Sequence, residues 1–332
     1  MKRVDISSYI HIEDAVREQI QYLQDRKEGK IKTLRTPWKK VNQANFNGLE
    51  WGTITTLGGM SGSGKTTMVN QLVTELDKYN KNEEIHVLFF TIEMEARKVV
   101  GRSFSNMMEV SVQELNTKLH DKQLDMIKEK IGPSLSKKNI TYIQIAETPE
   151  VTAKQIAEFI SVRMDKKVLV VYDHSLLPKR SASYNERESL IRLYTELNTL
   201  KKRFKNSQYL VLSQLNRNIE EDSYRLTKKS LHYPKKSDFF GSDAAYQFSD
   251  LVMVIHNPHR LGIDCYGPNS LPTKGYLFIH MLKIREGQSG RVTVVKDSLK
   301  YNKIASLTKE EFNEFKKLIA KNQKNCTENN DN

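Results

Sequence analysis

The sequence predicts an α/β fold in which a central, mostly parallel β-sheet is flanked by helices. Three observations carry that expectation. Residues 86–91, 168–172 and 209–212 are strand-length stretches built on continuous apolar residues, the pattern of strands buried on both faces. Longer stretches between them carry apolar residues at helical spacing, as with Ile156 and Ile160, or Leu190, Tyr194 and Leu197. The third observation is the run GGMSGSGKTT at 58–67, with the spacing G-x-x-x-x-G-K-[ST] from Gly59 through Gly64 and Lys65 to Thr66. Residues 54–57 ahead of it read as a short strand, and Met68, Leu72, Val73 and Leu76 behind it recur as in a helix.

Strand, glycine loop and helix in that order are what a phosphate-binding loop requires. Glycines let successive backbone N–H groups turn toward phosphate oxygens, and the helix N-terminus adds partial positive charge. The loop would be lined by Gly59, Ser61, Gly62, Ser63, Gly64, Lys65, Thr66 and Thr67. Lys65 would reach the β- and γ-phosphates of ATP, and the Thr66 hydroxyl would ligate Mg²⁺. A flexible Gly/Ser linker has no reason to sit between these two elements.

Length and charge bound the rest. The 332 residues suffice for one large α/β domain with appendages or for two modest domains. Charged residues make up 28% and hydrophobic ones 38%, polar for a globular chain but far from disordered. A net charge of +13 suits an acidic partner such as nucleic acid, although many basic surfaces only solvate. Cys265 and Cys326 are far apart and share no metal-type spacing with histidines, so neither a disulfide framework nor a zinc site is expected. A reducing cytoplasm fits. No apolar run has signal-peptide or membrane-span length, and no membrane partner is expected.

Along the chain, Ile12, Val16, Ile20 and Leu23 mark one face of a helix ending near Gly29, with a charged opposite face. Residues 1–30 are accordingly expected as an N-terminal helix, 31–304 as the main domain, and 305–332 as a short helix with a disordered polar tail after Lys321. Glu93 follows the strand at 86–91, at the rim where ligands bind in such folds. It is either the base that polarises an attacking water or an acidic residue opening the next helix. Asp173 ends the strand at 168–173, where a carboxylate can hold the Mg²⁺ of a bound nucleotide. Gln214 closes the strand at 209–213, placed either to touch a γ-phosphate and a neighbouring loop or to serve as a polar cap. Lys179, Arg180, Arg217, Lys235 and Lys236 lie in basic loops that suit phosphate contacts or plain solvation. Lys283 and Arg285 alternate at a strand end, which puts both cations on one face. They could serve their own nucleotide, a neighbour's, or only water. Thr308 and Glu311 suggest a capping box on the last helix.

Taken together these residues resemble the motor domain of DnaB-type hexameric replicative helicases, which have a RecA-like P-loop core. The run FTIEM at 90–94 is similar to that family's F-S-L-E-M, which makes Glu93 the counterpart of its catalytic glutamate. Asp173 matches the Walker B aspartate. SQLNR at 213–217 matches the motif whose glutamine links γ-phosphate to DNA, here Gln214. Lys283-x-Arg285-x-Gly287 resembles the K-x-R-x-G finger inserted into the adjacent subunit's ATP site, and Arg102 and Thr148-Pro149 have family-like surroundings. The resemblance spans roughly residues 10–297. It implies an ATP hydrolase and DNA helicase moving 5′ to 3′ on single-stranded DNA, with ATP and Mg²⁺. It further implies a homo-hexamer with ATP sites between subunits, primase or loader as partners, and residence in a bacterial or phage-infected cytoplasm. The N-terminal helix then corresponds to the family's linker helix, which docks on a neighbour.

Two departures stand out. The family's collar domain of about a hundred residues has no counterpart ahead of that helix. The second DNA loop, usually S-D-L-R-E-S-G, reads SDFFGSD at 237–243, leaving Gly241 and Ser242 as possible phosphate contacts beside Lys235 and Lys236. A RecA-like recombinase, or another ring ATPase without unwinding activity, is the alternative.

Overall fold

A computed structural model describes residues 9–173, 185–216, 218–221, 232–239 and 242–328. Its strands are β1 (Thr53–Gly59), β2 (Ile85–Thr91), β3 (Ile140–Ile143), β4 (Lys167–Asp173), β5 (Ser207–Gln214) and β6 (Leu251–His256). There follow β7 (Cys265–Tyr266), β8 (Leu271–Pro272), β9 (Tyr276–Ile284), β10 (Arg291–Ser298) and β11 (Lys303–Ala305). Nine of them form one sheet in the order β11-β10-β9-β6-β1-β5-β4-β2-β3. The half from β3 to β6 is parallel, as expected, and β9 to β11 add an antiparallel flank. The pair β7 and β8 forms a separate antiparallel ribbon.

Successive side chains along a strand alternate between faces, and both faces are covered, which accounts for the unbroken apolar runs. In β4, Leu169 and Val171 join the core cluster of the helix Lys65–Thr74, through Val69 and Leu72. Val168, Val170 and Tyr172 join the opposite cluster, with Ile156 and Ile160 of helix Pro149–Ser161 and Leu193 of helix Glu186–Arg203. The parallel strands all point one way, so the loops after β1, β2, β4 and β5 meet at one edge.

The N-terminal helix, Ile12–Lys27, buries no residue of its own. It is tied down near its end, where the Tyr22 hydroxyl donates to Glu50 at 3.0 Å and Arg26 pairs with the same carboxylate. The stretch before β1 contains the helix Lys39–Ala44 and a backbone bridge between Leu34 and Leu49. At the other end the capping box is present: Thr308 Oγ1 accepts from Glu311 N at 3.2 Å and Glu311 Oε2 from Thr308 N at 2.9 Å. The helix it starts runs Lys309–Glu328, past the point at Lys321 where composition suggested that order ends. Phe315 anchors it, buried edge-on to Tyr276 with ring centroids 4.7 Å apart.

Candidate nucleotide site and its outlying cations

The glycine loop follows β1 directly, and Gly62 and Gly64 hold the left-handed backbone, with φ of +69° and +101°. A side chain at Gly64 would also stand 2.7 Å from Leu299, so both conformation and space call for glycine there. From Gly64 the helix Lys65–Thr74 begins. Lys65 is buried and donates to the carbonyls of Gly59 and Met60 at 2.7 and 2.9 Å. Burial lowers its pKa to about 8, against the raising influence of the Asp173 and Glu93 carboxylates.

Asp173 at the end of β4 is 3% exposed, and burial lifts its pKa to about 6, opposed first by a hydrogen bond from Thr66. Its Oδ1 is buried with no hydrogen-bond partner among the described residues. A carboxylate with an orphaned oxygen beside a helix-start hydroxyl suits a hydrated Mg²⁺, which takes few protein ligands and completes its shell with water and phosphate. The described residues contain no cluster of three or more His, Cys, Asp or Glu able to hold a metal by itself. Thr66 and Asp173 therefore fit a metal that arrives with its nucleotide.

Glu93 is exposed in the turn after β2, two residues ahead of Glu95, which stands at the N-terminal boundary of the helix Ala96–Met108. That helix has no acidic residue in its first turn, so Glu93 does not open it. A cleft of about 400 Å³ collects Ser61, Gly62, Gly64, Lys65, Thr66 and Thr67 with Glu93, Asp173 and Gln214. Gly59 and Ser63 stand just behind this lining, Ser63 buried. Gln214 ends β5, and its successors clip the chain beyond. Leu215 forms a bridge with Phe239, and Asn216 N donates to Asp238 O at 2.6 Å.

Sequence reasoning missed several residues. Leu299 and Asn302, between β10 and β11, line the same cleft, and Arg260 donates to the Gly62 carbonyl at 2.6 Å. None sits in a spacing that announces a site. Arg102, noted only for its surroundings, also lines the cleft and lowers the Asp173 pKa.

Lys283 and Arg285 are absent from this cleft. Both lie at the end of β9, beside the start of β1, where Arg285 N donates to Asp250 O and Asp250 N to Ile54 O, each at 2.8 Å. By register Lys283 stands level with Thr56 and Arg285 lies near Ile54, three and five residues short of Gly59, or about 10 and 17 Å along β1. Asp250 organises the region. Its carboxylate meets Arg285 Nε at 3.0 Å, Lys201 Nζ at 2.8 Å and the backbone N–H of Ile54 at 2.8 Å. Lys283 Nζ donates to Tyr246 O at 2.5 Å and Gln247 O at 3.2 Å, and Arg285 Nη2 donates to Gln247 O at 3.2 Å. Burial lowers the Lys283 pKa, followed by the Arg285 charge.

Of the expected DNA contacts, Lys235 and Lys236 are exposed at a one-turn 3-10 helix, Lys236–Asp238. Lys179, Arg180, Arg217 and Gly241 lie outside the described residues; Ser242 opens the helix Ser242–Phe248, but its side chain is not described.

A glycine loop after the first strand, with acidic and amide side chains at the ends of neighbouring parallel strands, defines a RecA-like nucleotide-binding core. The chain belongs to the DnaB-like helicase C-terminal domain family, whose model matches residues 16–304. Among solved structures it is similar to an ATPase domain at 14% identity and a TM-score of 0.75, over 91% of this chain and all of that one. A DnaB-like replicative helicase, described with its interactions with primase, matches at 13% identity and a TM-score of 0.71, over 88% of this chain and 66% of that chain. A KaiC-like protein from Pyrococcus horikoshii shares the fold more loosely, at 14% identity and a TM-score of 0.51 over 84% of this chain. No curated protein sequence matches it.

Proposed function

We propose that this chain is an ATP-dependent DNA helicase that translocates 5′ to 3′ on single-stranded DNA and unwinds duplex during replication. It works as a hexameric ring with ATP sites between subunits, in a bacterial or phage-infected cytoplasm, where primase or a loader can join it. Membership of the helicase family supports this, and one observation carries the assembly: Lys283 and Arg285 line no part of the chain's own cleft and stand three to five residues back along β1 from Gly59. Two fixed cations outside their own cleft have no nucleotide of their own to serve.

In this function Lys65 binds the β- and γ-phosphates while the loop amides from Gly59 to Thr67 cradle them. Thr66 and Asp173 would hold Mg²⁺, which supplies neutralisation of charge across the β- and γ-oxygens. Glu93, exposed at the cleft, orients the attacking water and accepts its proton. Gln214 senses the γ-phosphate and passes its presence to the 235–239 segment through Leu215 and Asn216. Lys283 and Arg285 complete the next subunit's site. Lys179, Arg180, Arg217, Lys235, Lys236, Gly241 and Ser242 are the candidates for DNA contact.

Subunit mixing tests this. Lys65→Ala and Arg285→Ala subunits are each expected to lose about 10³-fold or more in turnover. Mixed together they should recover DNA-stimulated ATPase activity and unwinding of a forked substrate, because an intact loop can then face an intact finger. No recovery on mixing overturns the shared site. Turnover without unwinding would point instead to a recombinase-like machine.

A further inference from the structure

Tyr246 occupies a position that none of the helicase roles above accounts for. It lies on the helix Ser242–Phe248, and its hydroxyl donates to Leu282 O at 3.0 Å, which fixes the ring beside the strand carrying the finger. Its own carbonyl accepts from Lys283 Nζ at 2.5 Å. The Lys283 ammonium also lies 5.4 Å from the ring centroid. A second ammonium, that of Lys236, lies 5.3 Å from the same centroid. Both distances fall within the range of cation–π attraction.

One ring thus attracts two like charges, one from the exposed segment that follows Gln214 and one from the finger. Each cation is drawn to the ring and repelled by the other, and the Lys236 charge is among those that lower the Lys283 pKa. If Lys236 turns to a phosphodiester, its share of the ring and its repulsion both leave, and the hold on Lys283 changes without any movement of the backbone.

We propose that Tyr246 is a positioning residue that couples Lys236 to Lys283, so that a nucleic-acid phosphate at Lys236 alters how the finger lysine is presented to the neighbouring subunit. The inference rests on the proposed action of the finger on a neighbour's nucleotide. Coupling of this kind is reciprocal: a nucleotide that draws Lys283 away must change the affinity of Lys236 for DNA by the same factor.

The test uses the assembled full chain, with ATPase activity measured without DNA and at saturating oligo(dT) at fixed salt. Lys236→Ala, Tyr246→Leu and the double variant are compared. The expected result is a fall of about fivefold or more in the plateau ratio of stimulated to unstimulated turnover in each single variant. The double variant should fall no further, since both changes break one link. Lys236→Ala is a surface change, so the test holds even where Tyr246→Leu does not fold. A Lys236→Ala variant that only needs more DNA to reach an unchanged plateau makes Lys236 a plain phosphate contact and overturns the proposal. So does a double variant whose losses multiply. A Lys283→Ala control separates the two levels: if it shows no effect in trans in the mixing experiment, the finger assignment itself fails. If it does and the plateau ratios stay intact, only the role of Tyr246 falls.

Discussion

Lys65 and Asp173 sit in the same cleft with pKa values moved toward one another, to about 8 and about 6, each chiefly by burial. Between those values the nucleotide-free cleft holds a protonated lysine and an ionised aspartate, the forms that phosphate and metal require. Binding of a fluorescent ATP analogue with Mg²⁺ is therefore expected to weaken as pH rises through about 8 and again as it falls through about 6. A Lys65→Arg variant, whose guanidinium stays charged, should lose the alkaline limb. A second titration lies outside the site. His280 is buried with Tyr266 OH 2.9 Å from Nε2, and burial holds its pKa down to about 3. Below the unfolded value of 6.5 the unfolded chain takes up a proton that the native state refuses. Stability should fall with falling pH from there, by roughly 1.4 kcal/mol per unit from this group alone. Urea melts at pH 7 and pH 5 should show a smaller loss for His280→Phe than for the native chain.

Among the elements, the junction of β1, β6 and β9 depends on charge in an otherwise apolar sheet. Lys201 is 8% exposed, and its ammonium meets the Asp250 carboxylate, which also receives Arg285 and the N–H of Ile54. Asp250→Ala would leave a buried lysine without its counter-charge, and a loss of about 3 kcal/mol in denaturant stability is expected. Lys201→Met with Asp250→Asn should recover part of that loss, because the unpaired buried charge is then gone. The elements themselves were legible to different degrees. The strands that lead to Glu93, Asp173 and Gln214 announced themselves because burial on both faces leaves continuous apolar runs. The three-residue β11 did not, since it is held by Trp38 Nε1 donating to Ile304 O at 3.0 Å and by Gln71 accepting from Ile304 N at 2.8 Å, contacts from distant parts of the chain.

At the scale of the molecule, the N-terminal helix leaves Ile12, Val16, Ile20 and Leu23 at least half exposed. An apolar stripe left open in one chain is suited to cover by another. Ile20→Glu with Leu23→Glu is expected to leave the thermal midpoint of the single domain within a few degrees, since nothing buried is disturbed. Sedimentation velocity should show smaller assemblies, with DNA-stimulated ATPase activity reduced in parallel. An unchanged sedimentation profile would assign the stripe to no subunit contact.

The sequence by itself determined the glycine loop, the identity of the rim residues Glu93, Asp173 and Gln214, and the helicase family resemblance. These are properties of local spacing: a phosphate loop needs glycines within a few residues of one another, and a buried strand needs unbroken apolar character. Tertiary structure decided what spacing cannot encode. It put Leu299, Asn302 and Arg260 at the cleft from segments more than a hundred residues beyond the loop. It placed Glu93 in the turn before the next helix, which starts at Ala96. It also left Lys283 and Arg285 outside that cleft, level with Thr56 and near Ile54 of β1, by pairing β9 antiparallel to β6, because strand direction is set by the neighbour a strand pairs with and not by its own residues.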